Sequence, residues 1–319
     1  GLILVLFIKV IELNPLFIDN FYDKYYFTPL NTFSEFLFGR FEFSFGDILY
    51  LILPFLLFSQ IKKTHPRRKN AFIFIKFSLV IYIIFQIQWG INYHRTALHK
   101  KLSLKSNYSL ELLKKETKKI INKTNQIHKK LSNNDTVAID LIFDKKFIIN
   151  ESIQSLKKVK FINDHKIPKN IKISTFSTIN SYMGFGGYIN PITLEAQIND
   201  NTPTLYLPTT ITHEISHQLG YAAEDEANFI GILSCMESKN DFISYCGHVQ
   251  AVRYLLNEIF NTNSESYKEM VKELNLGVKK NIAEAAAEID EYQNPLEPLF
   301  KKFYDNFLKI NNQPKGIKS

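Results

Sequence analysis

The amino-acid sequence predicts an α+β protein, with N-terminal transmembrane helices followed by a mostly helical domain that holds a small β-sheet or hairpin. Long apolar runs crowd the first 95 residues of the 319-residue chain, and the remainder has the composition of a water-soluble domain. Within that remainder, strand-like stretches precede a long series of helix-like ones, which is typical of α+β domains. We therefore predict a transmembrane region of about three helices at residues 1–95 and a separate domain at residues 96–319.

Composition excludes several classes of protein and site. Hydrophobic residues make up 45% of the chain, too many for a disordered protein. The net charge is +8, but the excess is mostly lysine spread over helix-like stretches, so a solvated surface explains it and no nucleic-acid partner is expected. Cys235 and Cys246 form no C-x-x-C pair, which excludes a cysteine-based zinc site. We expect two buried thiols, with a disulfide left open.

Three apolar segments are candidates for membrane helices: residues 1–11, 45–61 and 71–91. A spanning helix needs about 20 largely apolar residues. The second segment is short and contains a proline, so a buried core helix is an alternative there. The third segment is long enough and ends near Trp89 and Tyr93, whose amphipathic side chains are favoured at a membrane interface. We expect this region to insert into a membrane and to contact membrane lipid.

Basic residues predict the orientation of these segments. The linker between the second and third segments carries Lys62, Lys63, Arg67, Arg68 and Lys69. The loop between the first and second segments holds only two basic residues, Lys24 and Arg40. The positive-inside rule places the linker in the cytoplasm and the large domain outside. The sequence therefore predicts a multi-pass protein of the cell (inner) membrane whose domain faces the extracytoplasmic side.

Hydrophobic periodicity predicts the elements of the domain in order. A helix is predicted at residues 109–132, with apolar side chains at helical spacing. Strands are predicted at residues 138–149, 171–176 and 204–207, and a glycine-led hairpin that turns at Asn190-Pro191 is predicted at residues 182–200. Further helices are predicted at residues 210–219, 223–237, 242–260, 264–290 with a break near Gly277, and 295–310.

The segment His213-Glu214-Ile215-Ser216-His217 is an H-E-x-x-H motif. On a helix, residues four apart share a face, so His213 and His217 can bind one metal ion while Glu214 reaches a water on it. Zinc with three protein ligands keeps a fourth position for water and lowers the pKa of that water to about 7. A carboxylate beside the water can then act as a general base. The motif predicts a hydrolytic site with Zn²⁺ as its cofactor.

Two glutamates compete for the place of the third ligand, Glu224 and Glu226. On a helix they point about 200° apart, so only one of them can face the metal. We favour Glu224, because Asn228 lies one turn further along and can accept a hydrogen bond from a ligand imidazole. Ala227 and Gly231 continue that face with small residues that let the helix approach the motif. Glu226 is the alternative ligand.

These motifs resemble those of the gluzincin zinc peptidases, including the membrane prenyl-protease-like group, in which E-x-x-A-[D/N] follows H-E-x-x-H. The resemblance implies a zincin-like domain in which Glu224 is the third zinc ligand and Asn228 supports a ligand. One departure is the link between His217 and Glu224, which has only six residues and is shorter than in most gluzincins.

The chain more closely resembles an uncharacterised family of bacterial membrane proteins. That family carries membrane segments, a G-x-x-G-Y-x-N-P-x-T-x-E-A hairpin, and then H-E-x-x-H-Q-x-G and E-x-E-A-N-F. The matching residues outside the histidine motif are Gly184, Gly187, Tyr188, Asn190, Pro191, Thr193, Glu195, Ala196, Gln218, Gly220, Glu226, Ala227, Asn228 and Phe229. The resemblance extends to W-G-I-N-Y-H-R at residues 89–95. It implies a zinc-peptidase-like site and a membrane anchor, and no particular substrate.

The hairpin and three further side chains complete the candidate site. Zinc peptidases commonly bind substrate as an added strand along a sheet edge. Gly186 and Gly187 would let a peptide backbone approach beside Tyr188, although a plain tight turn also explains these glycines. The candidates for stabilising an oxyanion are Tyr221, Tyr245 and His248, each of which could instead be a packing or surface residue.

The leading hypothesis is a membrane-anchored zinc metallopeptidase that hydrolyses a peptide or protein of the cell envelope, with Glu214 activating a zinc-bound water. One alternative is a catalytically lapsed membrane scaffold or binding protein with a structural metal site. Another is a zinc amidase that acts on cell-wall material. Glu214 argues against the scaffold, because a structural metal site needs no general base. The sequence does not separate the peptidase from the amidase.

Overall fold

The computed structural model describes residues 2–62, 64–105, 107–162 and 166–318. Gly1 and Ser319, at the ends of the predicted regions, and Lys63, in the predicted cytoplasmic linker, lie outside this part. Helices dominate it, and a small mixed sheet accompanies them, consistent with the α+β class. The N-terminal elements are α1 (Leu2–Glu12), α2 (Pro15–Phe17), a π-helix (Ile18–Phe27), α3 (Thr28–Phe38), α4 (Phe45–Gln60) and α5 (Arg67–Gln88).

The remaining elements belong to the predicted domain. Its strands are β1 (Lys172–Ile173), β2 (Gly187–Ile189) and β3 (Ala196–Ile198). Its α-helices are α6 (Leu98–Lys101), α7 (Leu110–Ser132), α8 (Lys145–Leu156), α9 (Ser177–Met183), α10 (Leu207–Gln218), α11 (Glu224–Met236), α12 (Asp241–Thr262), α13 (Ser264–Lys272), α14 (Leu276–Asp290) and α15 (Glu297–Ile310). Short 3₁₀ helices lie at Gly90–His94, which precedes the predicted domain, and at Lys160–Ile162 and Gly316–Lys318 within it. Side chains at several helix starts, such as Ser109 before α7 and Asn240 before α12, accept hydrogen bonds from backbone N–H groups of the first turn.

The sheet has the strand order β1-β3-β2. Strands β2 and β3 pair antiparallel, with Tyr188 opposite Gln197, whereas β1 pairs with β3 in parallel. The Asn190 side chain accepts hydrogen bonds from the backbone N–H groups of Ile192 and Thr193, an Asx turn that reverses the chain. The predicted hairpin is therefore confirmed, and β2 is one edge of the sheet.

Two strand predictions are wrong. Residues 145–149 belong to α8, whose start is capped by the Asp144 carboxylate accepting from the N–H of Phe147 at 3.1 Å. Residues 204–206 form turns that lead into α10. Short apolar runs do not distinguish a strand from a buried helix. At residues 145–149, the capping residue Asp144 favours the helix. The predicted helices after residue 207 are confirmed within a few residues, and the break near Gly277 is the interval between α13 and α14.

Among the described residues, α5 is the helix that is long and apolar enough to cross a membrane. The other two predicted membrane segments form shorter helices, α4 with 16 residues and α1 with 11. The backbone N–H of Gly46, in the first turn of α4, donates to Glu195 at 2.7 Å. Trp89, directly after α5, contacts His217 with 6.1 Å between ring centroids. The start of α4 and the end of α5 both lie at the domain. The linker that joins the end of α4 to the start of α5 therefore lies at the ends of these helices that are away from the domain.

Residues 12–44 are more than a loop between membrane segments. They form the π-helix and α3, and Phe27 is buried in a small hydrophobic cluster with Trp89. The Asn31 side chain donates to the carbonyl of Gln218, at the end of α10, at 2.8 Å. The N-terminal region is thus packed on the domain, and a boundary at residue 95 passes through residues that are in mutual contact.

The main hydrophobic core surrounds α10. This helix contacts α8, α11 and α12 as well as strands β2 and β3. Ile211 and Ile215 of α10 are completely buried in that core, so the helix that carries the histidine motif is held from several sides. Cys235 and Cys246 lie in the same core as buried free thiols.

Candidate metal centre

The motif residues His213, Glu214 and His217 lie on α10, directly against α11. The Thr212 hydroxyl donates to the carbonyl of Gly231 on α11 at 3.0 Å. A Cβ atom at Gly231 would lie 3.0 Å from the backbone nitrogen of His213, so a larger residue would separate the two helices. The small residue predicted to permit this approach is therefore where the helices meet, and it brings the start of α11 to the motif.

Nitrogen and oxygen donors converge at this helix contact. The ligand atoms of His213, Glu214 and His217 all lie within 4.8 Å of one another. The Glu224 carboxylate faces both imidazoles, with Oε2 3.4 Å from His213 Nε2 and Oε1 3.6 Å from His217 Nε2. Two imidazoles and a carboxylate around one point are a donor set that can hold a divalent metal ion.

Two glutamates, Glu214 and Glu224, lie close to the imidazoles, and their surroundings distinguish them. Each Glu224 oxygen lies near one imidazole Nε2 atom, which is the placement expected of a shared ligand. Glu214 instead lies against the backbone of Gly187, and its buried Oε2 atom has no protein partner. An unpaired buried carboxylate oxygen is costly, and a water held between the donors would satisfy it. Glu224 fits the ligand set, and Glu214 fits the position of a base.

Glu226, the alternative ligand, points away from the imidazoles. Its Oε1 atom accepts a hydrogen bond from the backbone N–H of Leu98 at 2.5 Å, at the start of α6. Burial raises the pKa of this carboxyl group, and the hydrogen bond from Leu98 opposes the rise. Glu226 therefore holds α6 against α11.

The imidazole of His217 is oriented by the backbone. Its Nδ1 atom lies 2.8 Å from the carbonyl oxygen of Tyr221, in the turn after α10. Gly220 makes this turn possible with a φ of +92°, a conformation that glycine adopts without strain. Asn228, to which we assigned the support of a ligand, lines the cavity beside these residues. Among the described contacts, a carbonyl group thus has the role that we predicted for the amide of Asn228.

The electrostatic environment separates the two carboxylates. Burial raises the pKa of Glu214 to about 7, although the neighbouring imidazoles oppose the rise. Burial also disfavours the charged form of His217, but the charge and hydrogen bonding of Glu224 prevail and raise its pKa to about 9. The pKa of Glu224 lies well below its ordinary value, because both imidazoles outweigh the effect of burial. Glu224 is therefore ionised, and Glu214 can exchange a proton near neutral pH.

Helix α15 and the segment after it each contribute one side chain that the sequence did not indicate. The Tyr304 hydroxyl donates to Glu224 Oε1 at 2.7 Å. Just after α15, Gln313 Oε1 accepts from the backbone N–H of Glu224 at 2.9 Å. Ala223, at the N-cap position of α11, offers no capping side chain, so Gln313 takes that role from 89 residues away. The helical periodicity of residues 295–310 was the available signal, but it does not say which element the helix meets.

The three oxyanion candidates do not line the cavity at this site. The Tyr245 hydroxyl is buried in the core, where it donates to Asn281 at 3.0 Å. His248 Nδ1 lies 2.8 Å from the carbonyl oxygen of Ser244 within α12. The side chain of Tyr221 packs against the main hydrophobic core. Tyr245 and His248 are buried on α12, whereas Gln250 of the same helix lines the cavity.

The predicted hairpin reaches Glu214, the candidate base. A Cβ atom at Gly187 would lie 2.6 Å from the Cγ atom of Glu214, so only glycine fits there without a shift. Gly186 has more room, with its nearest neighbour on Thr210 at 3.4 Å from a Cβ atom. The Tyr188 hydroxyl donates to the carboxylate of Asp47, in the first turn of α4. Strand β2 thus connects α4 with Glu214.

One cavity of about 750 Å³ is bordered by His213, Glu214, His217, Glu224, Asn228 and Tyr304. Its wall includes residues of α9, α10, α11, α12 and α15, the hairpin, the 3₁₀ helix Gly90–His94, and the ends of α4 and α5 nearest the domain. The volume lies within the roughly 300–1,000 Å³ usual for ligand sites. The candidate metal centre therefore has room beside it for a substrate.

Comparison with known proteins identifies a family. No curated protein and no solved structure matches the chain. A family model with the description "Protein of unknown function (DUF3810)" matches residues 22–319. The match covers both helices of the metal centre, the hairpin, α4, α5 and α15. The chain therefore belongs to the DUF3810 family.

Proposed function

We propose that this protein is a membrane-anchored zinc metallopeptidase. The observation that carries the proposal is the convergence of His213, His217 and Glu224, beside the buried and unpaired carboxylate oxygen of Glu214. Two imidazoles and one carboxylate form a known catalytic zinc ligand set that keeps one position open. In such a site, bound zinc polarises the attacking water and the substrate carbonyl.

The residues of the chain supply the other parts of the reaction. Glu214, with a pKa of about 7, takes a proton from the attacking water and passes it to the leaving amine. Burial and the charge of Glu224 raise the pKa of Tyr304, so its hydroxyl stays protonated and can donate a hydrogen bond to the charge that develops on the carbonyl oxygen. Strand β2, an edge of the sheet, lines the cavity and offers backbone groups along which an extended peptide can align.

Metal content and the Glu214→Gln variant test this proposal. The purified full-length protein should contain one zinc per chain, and Glu214→Gln should keep the zinc while lowering kcat by about 100-fold or more. Glu35→Gln is a matched control, because Glu35 is another carboxyl group whose pKa burial raises, and it lies outside the cavity. Absence of a stoichiometric divalent metal after metal-replete purification would refute the proposed metalloenzyme function. If the protein hydrolyses amide bonds of cell-wall material and not peptides, the zinc amidase replaces the peptidase as the proposed function.

We further propose a multi-pass protein of the inner membrane whose domain faces the extracytoplasmic side. The apolar length of α5 supports insertion, and the basic linker at the far end of α4 and α5 supports the orientation. Cysteine placed at Lys24 or at Thr64, both exposed, reports the two sides. In intact cells an impermeant thiol reagent should label the first and spare the second, and the buried native thiols keep the background low. Labelling of Thr64→Cys alone would reverse the orientation.

A further inference from the structure

In the cavity beside the candidate metal centre, the carboxylate and imidazole groups of the lining all lie in one place. Among its lining residues, the carboxylates and imidazoles are those of His213, Glu214, His217 and Glu224. The wall contains no lysine, arginine or aspartate from the described part of the chain, although the protein carries a net charge of +8. Away from the candidate metal centre, the described lining of the cavity therefore offers a substrate no ionic partner.

The uncharged wall is largely apolar. The side chains that line it from α5, α9 and α15 include Phe85, Ile179, Met183, Phe300, Phe303 and Phe307. A charged substrate group placed against such a wall would lose its hydration without gaining a partner. A large apolar group would leave water for an apolar surface, which is favourable. The cavity therefore discriminates in favour of apolar substrate groups.

The same wall continues to the membrane helices. Tyr50 of α4 and Phe85 of α5 line it, and α5 is the helix long enough to span a membrane. Phe307 of α15 packs on Phe85, with ring centroids 5.8 Å apart. Phe303 both lines the cavity and is 74% exposed, and Leu299, one turn earlier on α15, is 63% exposed. An apolar surface thus extends from the cavity to the outside beside the end of α5.

We infer that the cavity binds a polypeptide segment with large apolar side chains, which reaches it from the membrane surface. The cleavage of that segment rests on the proposed peptidase activity, whereas its binding does not. Edge strand β2 lies in the wall, and Gly187 brings its backbone against Glu214. A segment aligned with β2 therefore passes the base while its side chains contact the aromatic wall.

Trp89 gives a binding measurement that needs no catalysis, because it is the single tryptophan of the chain and lines the cavity. Full-length Glu214→Gln protein is titrated with two tryptophan-free peptides of equal length, both carrying the same dinitrophenyl quencher. One peptide is rich in phenylalanine and leucine, and the other is rich in lysine and glutamate. The apolar peptide should quench Trp89 fluorescence with a Kd at least about tenfold lower. Equal affinities, or tighter binding of the charged peptide, would overturn the inference.

A pair of isoleucine variants locates the binding. Ile232 lines the cavity on α11, two turns after Glu224, and Ile282 is equally half-buried on α14 outside the cavity. Ile232→Glu should raise the Kd of the apolar peptide at least about tenfold, whereas Ile282→Glu should leave it unchanged. Retained metal content reports that each variant is folded, and Ile232→Gln replaces Ile232→Glu if that variant is not. An unchanged Kd in the folded Ile232 variant would place the peptide elsewhere.

Membrane presentation is tested with the wild-type protein in phospholipid vesicles. The apolar sequence is offered either free in solution or joined to a transmembrane helix in the same vesicle. The tethered form should be cleaved at least about tenfold faster, since sharing a surface raises its effective concentration. Equal rates would overturn delivery from the membrane. Binding selectivity without cleavage of either form would refute the proposed peptidase and leave the apolar binding site intact.

Discussion

Glu224 is positioned by two regions that differ in how they are packed. One is the helix pair α10–α11, to which Glu224 belongs, and the other is helix α15, which contacts the Glu224 carboxylate. The pair meets backbone to backbone, where a Cβ atom at Gly231 would lie 3.0 Å from the nitrogen of His213. Helix α15 reaches the same carboxylate through the side chain of Tyr304, and along its described length Leu308 alone is buried. From this difference we expect metal binding to depend on the tightly packed pair, with α15 adjusting and covering a site that the pair already defines.

The strongest test of this comparison is the metal affinity of two glutamate variants on α11. Glu224→Gln should weaken zinc binding by more than about 100-fold, because an ionised ligand facing both imidazoles is lost. Glu226→Gln should weaken it by less than about tenfold, since the amide can still accept from the N–H of Leu98. Competition with a chelating dye measures both dissociation constants. If Glu226→Gln empties the site and Glu224→Gln does not, the ligand assignment is reversed.

Tyr304→Phe tests whether α15 serves catalysis without holding the metal. Loss of the hydroxyl should lower kcat by about 100-fold, as removal of a donor to a developing oxyanion does elsewhere. Zinc affinity should fall by less than about tenfold, because both imidazoles and Glu224 remain. Tyr108→Phe is the control, since its hydroxyl also donates to a glutamate, Glu258, at 2.9 Å but on the outer surface. A Tyr304→Phe protein that loses its zinc would show that α15 belongs to the metal-holding scaffold.

The smallest expected effect is that of Gln313→Ala. This change removes the side chain that accepts from the N–H of Glu224 and should lower the free energy of unfolding by about 1 kcal/mol. Urea unfolding followed by circular dichroism measures it, with Gln293→Ala on an exposed turn as the control. Since α10 and α11 keep their packing, zinc should remain bound in native buffer. A loss above about 3 kcal/mol would contradict the view that α15 and its tail only cover the site.

The sequence predicted those parts of the site that local spacing determines. Four-residue spacing put His213 and His217 on one helix face, and the opposite directions of Glu224 and Glu226 followed from helix geometry. The hairpin could be predicted because Asn190-Pro191 is a turn signal between strand-like runs. The identity of the bound metal, the reaction and the substrate remain predictions, because no contact between protein atoms distinguishes them.

Contacts between distant elements could not be predicted from one sequence. Tyr304 lies 80 residues after Glu224, and periodicity gives the apolar face of α15 without giving its partner. The π-helix and α3 were missed because the apolar residues of 12–44 were assigned to a loop, whereas Phe27 is buried against Trp89. Among the described residues, α5 alone meets the length criterion for a membrane span where about three such helices were expected, since α1 and α4 are short.

The position of Gln313 has a consequence for how the protein is made. The backbone group that it caps, at Glu224, precedes it by 89 residues. At about 5–20 residues per second, the ribosome needs roughly 5–20 seconds to go from one to the other. During that interval the growing chain holds both histidines and both glutamates of the metal centre but neither the cap of α11 nor a complete α15. The candidate metal centre therefore gains its last described support only after the chain has grown 89 residues beyond Glu224.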